Sequence, residues 1–373
     1  LFNSAFFPTF IFNKIALISI ISIVLFLAIY NSNLKFKFTF GHKAIYLIFF
    51  YAFFLAFFLN TITSHSFQLL FCTSLLLLVT INPIAKINFD LHIRLIGILI
   101  SFYTISLLIY FLFGNIDLDI RSNSLASKLW ETSFMSIGYR EFGDLTLFQF
   151  QIGSAPILFI SLGLWIKRLF TKININNIFG VVLVTITLLV SGQRALILAT
   201  FLAYLLGFFF FTKFKNKFYV GLFLVILLVS LFMPFLVSQL FFEGDKSTEV
   251  KIRHIQYFLG QLTIPKLIFG SGLGSEFYSG YRIYMAITEN TFLDLIRFLG
   301  LPLAILSYIS LLFPQIKNIR FYFKLSPFEF YLMVIYLLIS LTNPVLLNSY
   351  GIYVICWYWN HVINYQKQNY VKY

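Results

Sequence analysis

The sequence predicts an all-α polytopic membrane protein, and three observations carry that prediction. Hydrophobic residues fill 60% of the 373 positions and charged residues only 11%, where an ordinary soluble domain carries about 25% charged residues. The 50 Phe and 22 Tyr are more aromatic surface than a water-facing exterior tolerates without aggregating, so the excess must face lipid. The apolar residues are also gathered into runs near the length of about 20 that crosses a ~30 Å hydrocarbon core.

Taken in order, those runs give eleven candidate spans: 12–30, 44–60, 66–83, 93–114, 148–166, 176–192, 194–211, 218–240, 290–313, 327–342 and 345–363. The sixth and seventh touch at Ser191-Gly192-Gln193-Arg194, so they must form a tight helical hairpin. Asn343-Pro344 interrupts the last pair and suits its turn. Repeats and low-complexity linkers are absent, and a single membrane domain accounts for residues 1–373. Cys72 and Cys356 lie inside apolar runs and read as small hydrophobes, not as a disulfide or metal site. The chain starts with Leu in an already apolar stretch. No basic segment precedes the first apolar run, so a separable cleaved signal peptide is not expected.

The loops alternate in charge. Lys35, Lys37, Lys43, Lys86, Arg94, Lys167, Arg168, Lys172, Lys213, Lys215, Lys217, Lys317, Arg320, Lys324, Lys367 and Lys372 fall on one side. Only Asp90 and Glu329 oppose these sixteen, while everything else in the chain nets zero. Basic loops stay cytoplasmic, which puts the N-terminus outside and the C-terminus in the cytoplasm. The net charge of +14 is therefore scattered as orientation signals and does not form a nucleic-acid surface. The same orientation places two long loops, about 115–147 and 241–289, on the extracytoplasmic side, where ATP and nucleotide sugars are not available. Long connections are where function tends to sit.

The chemistry-bearing residues cluster there. Arg194 begins the seventh span just after a glycine turn; its guanidinium could grip phosphate in two-pronged fashion, or simply snorkel to the interface. Residues 248–262 carry Val250, Ile252, Ile255, Phe258, Leu259 and Leu262 at helical spacing, an amphipathic helix lying on the membrane. Arg253 and His254 ride on it. His254 is either a proton shuttle or a solvated surface histidine. Gly270-Ser271-Gly272-Leu273-Gly274 lacks the strand and helix context of a dinucleotide loop, and its backbone is suited to approach a ligand or another helix. Glu289, Asn290, Asp294 and Arg297 stand at the start of the ninth span; Asp294 and Arg297, three apart, share a face. Ionisable groups at this depth face an interior or an aqueous cavity, as a structural ion pair or as ligand contacts. Arg121, Lys128, Trp130, Arg140 and Asp144 in the first long loop have the mixed character of a solvated loop. No Walker motif, HExxH, GxSxG or cysteine metal cluster is present, and Asp117-Leu118-Asp119 has DxD spacing without the setting of a metal-bound nucleotide sugar.

These segments together resemble the O-antigen polymerase and ligase superfamily of bacterial inner membranes. SGQRALI at 191–197 is similar to the family's S-G-S-R segment, with Arg194 as its arginine. Arg253, then LIFGSGLG at 267–274, is similar to the family's arginine followed by a glycine stretch. ENTFLDLIRFLGLPLAIL at 289–306 and SLTNP at 340–344 are similar to its last two segments. The match covers about residues 180–345; the N-terminal spans match in topology alone.

The resemblance implies a GT-C-like membrane glycosyltransferase bundle that inverts at the anomeric carbon and needs neither metal nor cofactor. Its donor would be an undecaprenyl-pyrophosphate-linked oligosaccharide, polymerised onto a fresh lipid-linked repeat unit. Arg194 and Arg253 would bind the pyrophosphate. Glu289, His254 or Asp294 would serve the acceptor hydroxyl, with Arg297, Asn290, Gly272 and Asn343 as further substrate contacts. Partners would be the lipid bilayer and a chain-length regulator protein. Ligases of the superfamily typically carry histidine where this chain has Glu289, which favours polymerase over ligase. A transporter reading stays beside both because of the intramembrane Asp294 and Arg297, although no second copy of the 289–306 segment exists. A purely structural membrane protein is the remaining alternative.

Overall fold

The computed structural model describes residues 38–76, 88–113, 135–142, 145–211, 246–280, 284–285, 288, 290–315, 322–323, 327–341, 343 and 345–370. The predicted spans 12–30 and 218–240, Glu289, and the Asp117–Asp119 pair lie outside them, as do Arg121, Lys128, Trp130 and Asp144. In chain order the helices are α1 (Phe40–Phe58), α2 (Ser64–Ser74), α3 (Phe89–Phe113), α4 (Ala155–Thr171), α5 (Ile175–Val190) and α6 (Arg194–Phe211). They continue as α7 (Lys246–Gln261), α8 (Ile264–Phe269), α9 (Thr291–Leu299), α10 (Leu301–Leu312), α11 (Pro327–Ser340) and α12 (Ser349–Tyr370). Two antiparallel hairpins join them: β1 (Met135–Phe142) with β2 (Leu145–Ile152), and β3 (Phe277–Tyr278) with β4 (Tyr284–Met285).

The protein is mostly helical. Among the described residues two helices, Phe40–Phe58 and Phe89–Phe111, are long and apolar enough to cross a membrane, and four shorter apolar helices accompany them. Two boundaries differ from the sequence prediction. The span expected from 148 begins at Ala155, because Leu145–Ile152 is strand. Phe148, Phe150 and Ile152 alternate with Gln149 and Gln151, a period of two that the apolar bulk obscured. The span expected over 290–313 is two helices, broken at Gly300, whose φ is +78°. The predicted hairpin at residues 191–193 does form, turning on Gly192 at φ +63°.

The sequence suggested one membrane domain, whereas contacts divide the chain into two compact units, 88–243 with 1–14 and 244–373 with 15–87. The first is organised around α4, whose residues 155–164 are all buried. Three neighbours reach it through glycines: a Cβ on Gly97 of α3 would strike Ser161, one on Gly180 of α5 would strike Trp165, and one on Gly207 of α6 would strike Ile166. Small residues let helices approach closely where no water-driven force pushes them together.

The second unit surrounds α12, in which Tyr350 through Asn360 are all buried. Its large polar side chains are turned onto backbone carbonyls: Trp359 Nε1 donates to Leu311 at 2.9 Å and the Tyr358 hydroxyl to Leu312 at 2.9 Å. Burying an indole or phenol this way avoids an unsatisfied polar atom. His42 of α1 packs edge-on to Trp359 at 4.4 Å between centroids.

Candidate functional site

Arg253 and His254 of the second unit stand on α7, while Asn290, Asp294, Arg297, Gly272 and Asn343 gather on α9. Asn290 caps that helix, its Oδ1 accepting from the N–H groups of Phe292 and Leu293 at 3.0 and 3.1 Å. An asparagine before an apolar run is a preferred cap because it satisfies orphan donors of the first turn. Its carbonyl oxygen is thereby committed to the helix, not to a ligand.

Asp294 and Arg297 form the expected pair, at 3.0 Å and with side chains only 3% and 5% exposed. Both Asp294 oxygens also accept from the Thr288 N–H, at 2.9 and 3.1 Å. Arg297 in turn donates to the Met285 carbonyl at 3.4 Å and lies 4.8 Å from the ring centres of both Phe277 and Phe298. The pair thus fastens the β3–β4 hairpin and Thr288 to α9. Of the two readings open for it, internal ion pair or ligand contact, the geometry matches the first. A buried pair survives only with such additional hydrogen bonds.

Glycines 270, 272 and 274 make a joint. The Ser271 and Gly272 N–H groups donate to the carbonyls of Arg297 and Phe298 at 2.7 and 3.2 Å, and Leu273 N–H to Ala52 at 2.9 Å. Thr61 and Thr63 hydroxyls donate to the Ser271 and Gly274 carbonyls at 3.2 and 3.0 Å. The loop crosses α1, α2 and α9 backbone to backbone. A Cβ on Gly270, at φ +81°, would meet the Phe298 carbonyl carbon at 2.7 Å, and one on Gly272 the Ala56 Cα at 2.5 Å. Of the two approaches foreseen for Gly272, a ligand or another helix, the structure has the helix.

His254 differs from expectation in a second way. It is 5% exposed and packs edge-on to Phe277 at 6.1 Å, so it is neither solvated nor open to a substrate. The hydropathy pattern missed this because α7 has three sides. His254 and Phe258 face the core, while Ile252, Ile255 and Leu259 form an exposed apolar stripe. Arg253 occupies the third side, paired at 2.6 Å with Glu249 one turn back, both partners substantially exposed. Asn343 is half-buried, and its carbonyl accepts from the Thr291 hydroxyl at 3.0 Å, joining the 341–348 turn to α9.

Arg194 belongs to the other unit, as the first residue of α6; its side chain, like that of Arg140 in β1, lies outside the described ones. Sequence reasoning missed Phe277, Met285 and Thr288, which carry the hairpin. The signal was present as two short runs, Phe277-Tyr278 and Tyr284-Met285, each with a tyrosine, either side of Ser279-Gly280. Comparison of the chain with protein-family models, with curated proteins and with solved structures finds no match.

Proposed function

We propose that this chain is a polytopic glycosyltransferase of the bacterial inner membrane that polymerises undecaprenyl-pyrophosphate-linked oligosaccharide repeat units at the extracytoplasmic face. The observation that carries this reading is convergence. Three of the four segments that resemble the O-antigen polymerase and ligase superfamily meet at α9: the glycine stretch on its last carbonyls, the 289–306 segment as the source of the helix itself, and Asn343 of the 340–344 segment on Thr291. Segments far apart in the sequence are thereby brought to one helix. The about eleven spans and the basic cytoplasmic face belong to the same proposal.

In this reading the acceptor hydroxyl oxygen bonds to the anomeric carbon of the donor sugar from the face opposite its phosphate. The anomeric C–O bond breaks, the electron pair leaves with undecaprenyl pyrophosphate, and the hydroxyl proton passes to a carboxylate. Arg253 stabilises the charge that develops on the leaving pyrophosphate, and Arg194 is the other arginine to which the resemblance gives phosphate binding. The Arg253 pair with Glu249 is an exposed one of small worth, so a multiply charged pyrophosphate competes for the guanidinium readily. Glu289 is the preferred base, since His254 is buried and Asp294 is engaged with Arg297 and Thr288. Thr288 and Asn290, on either side of Glu289 in sequence, are both held by α9.

The test is a deletion strain complemented with substituted genes, its surface polysaccharide resolved on a gel. Arg194→Ala, Arg253→Ala and Glu289→Gln are each expected to leave a single repeat unit on the surface lipid while the protein is still made. Long ladders surviving Arg194→Ala and Arg253→Ala together would rule the polymerase out. Loss of all lipid-attached glycan, single units included, would indicate a ligase, and loss of surface glycan with intermediates trapped inside would indicate a transporter.

A further inference from the structure

The β3–β4 hairpin has two faces, and only one of them is used by the contacts around α9. Phe277 faces Arg297 and His254, and Met285, its cross-strand partner, shares that face of the hairpin. Successive side chains of a strand point to opposite sides, so the other cross-strand pair, Tyr278 and Tyr284, is presented outward, and Tyr284 is 67% exposed. Opposite them stands the third side of α7, with Gln256, Tyr257, Gly260 and Gln261. Together these six residues line an open cleft of about 720 Å³.

The chemistry of that cleft is particular. Tyr257, Tyr278 and Tyr284 form a run of rings 5.7 and 5.8 Å between successive centroids, the first pair edge-on and the second tilted. Gln261 holds the cleft in shape, its amide donating to the Tyr278 carbonyl at 2.8 Å and accepting from the Tyr278 N–H at 3.2 Å. No charged residue lines it among the described residues. Its floor includes Gly260, a helical residue with nothing within 4 Å of where a Cβ would stand. At each of the other glycines whose surroundings are described, an added Cβ would collide with an atom within 3 Å. Glycine weakens a helix by about 0.5–1 kcal/mol relative to Ala, and at position 260 no neighbour requires it. What it provides is room.

Rings with apolar faces and polar edges, uncharged amides and hydroxyls, and spare depth are complementary to one class of ligand. We infer that the cleft between α7 and the β3–β4 hairpin binds a neutral sugar residue of a glycan, with the C–H face of the pyranose on tyrosine and its hydroxyls on Gln256 and the phenol oxygens. Direct hydrogen bonds to an uncharged ligand and an aromatic surface of this kind are the ordinary makings of an orienting pocket. This inference rests on the polymerase reading for its direction. Arg253 lies on the same side of α7, one turn before Tyr257 and two turns before Gly260, an offset of about 5.4 Å per turn. A pyrophosphate held at Arg253 would therefore lead its attached sugars into the cleft. The bound sugar is either from the growing chain or from the incoming repeat unit, and both present the same chemistry.

The full-length protein in lipid nanodiscs is to be examined by saturation-transfer difference NMR. The probes are oligosaccharides released by mild acid from the surface polysaccharide of a strain carrying the gene, as single repeats and as multi-repeat chains. Tyr284→Ala and Gly260→Leu are expected to weaken binding about tenfold or more, the order of one lost aromatic contact, and Tyr284→Phe to retain most of it. Leu is a strong helix former, so the Gly260 variant fills the cleft without harming α7. Preference for multi-repeat probes would assign the cleft to the growing chain, and equal affinity for single repeats to the incoming unit. Unaltered binding in both variants would overturn the inference, as would binding that collapses with rising salt or is displaced by phosphatidylglycerol, which would mark a lipid headgroup site. The two proposals fail separately. If Arg194→Ala and Arg253→Ala together leave the ladder long while cleft variants lose oligosaccharide binding, the polymerase falls and the sugar cleft stands. If Arg253→Ala abolishes the ladder and the cleft variants bind as wild type, the cleft alone falls.

Discussion

The two units use glycine and polar groups in opposite ways. In the bundle around α4, Gly97, Gly180 and Gly207 each receive a side chain from α4. Thr185, Thr187 and Thr200 there donate to carbonyls four residues back on their own helices. Such a bundle asks little of these residues, since the glycines meet side chains and these three hydroxyls bond within their own helices. Around α9 the glycines receive backbone, the carbonyl of Phe298 against Gly270 and that of Ile268 against Gly300. There several polar groups bond across the sequence, Ser271 and Gly272 to the carbonyls of Arg297 and Phe298 and Thr291 to Asn343, beside the local bonds among Thr288, Asn290, Asp294 and Arg297. The first arrangement forms a tolerant scaffold; the second holds particular residues in place, the form that a working site requires.

The largest expected effect breaks the second arrangement at its centre. Arg297→Met leaves the Asp294 carboxylate buried without its cation, and the destabilisation should be about 3–5 kcal/mol, read as a fall in thermal unfolding temperature in detergent. The double substitution Asp294→Leu with Arg297→Met should recover much of that loss, because both charges leave together. If Arg297→Met were as stable as wild type, the pair would not be the internal fastening that its 3.0 Å contact and burial indicate.

A smaller difference separates the glycines directly. Gly300→Ala must adopt φ +78° and push against the Ile268 backbone, so a cost of about 2 kcal/mol or more is expected. Gly207→Ala meets side chains alone, the branch methyl of buried Ile166 and the ring of Phe170, so no backbone has to move, and helix propensity returns up to about 1 kcal/mol. The two variants should therefore differ clearly in unfolding temperature. Equal behaviour would erase the contrast between the units. Asn290→Ala should follow at about 1 kcal/mol as a lost cap, with Asn290→Ser close to wild type.

Much of this was legible in the sequence, for reasons that differ by residue. The helices followed from apolar runs, and the turn at Gly192 from a glycine between two of them. Asp294 and Arg297 announced their pairing by a spacing of three. Unreadable were the features set by partners far away: the burial of His254 depends on Phe277, 23 positions later, and the break at Gly300 on Ile268, 32 positions earlier. Local pattern carries no record of such approaches. The strand 145–152 was hidden for another cause, since its alternation of Phe and Gln opens directly into the apolar run of α4.

Arg253 has the smallest expected effect on stability and the largest on activity. Its pair with Glu249 is exposed, and such pairs contribute about 1 kcal/mol at most, so Arg253→Lys should unfold within a degree or two of wild type. A structural arginine would tolerate that exchange. A pyrophosphate ligand would not, because lysine replaces a planar two-pronged fork with a single point charge. Glycan ladders from the Lys variant should therefore be shortened sharply at unchanged protein level. Glu249→Gln, which removes the carboxylate charge beside the guanidinium without altering the arginine, should leave the ladder intact. Were Arg253→Lys and Glu249→Gln to behave alike, the arginine would be serving its helix, and α9 with its fastened hairpin would remain a scaffold for chemistry placed elsewhere.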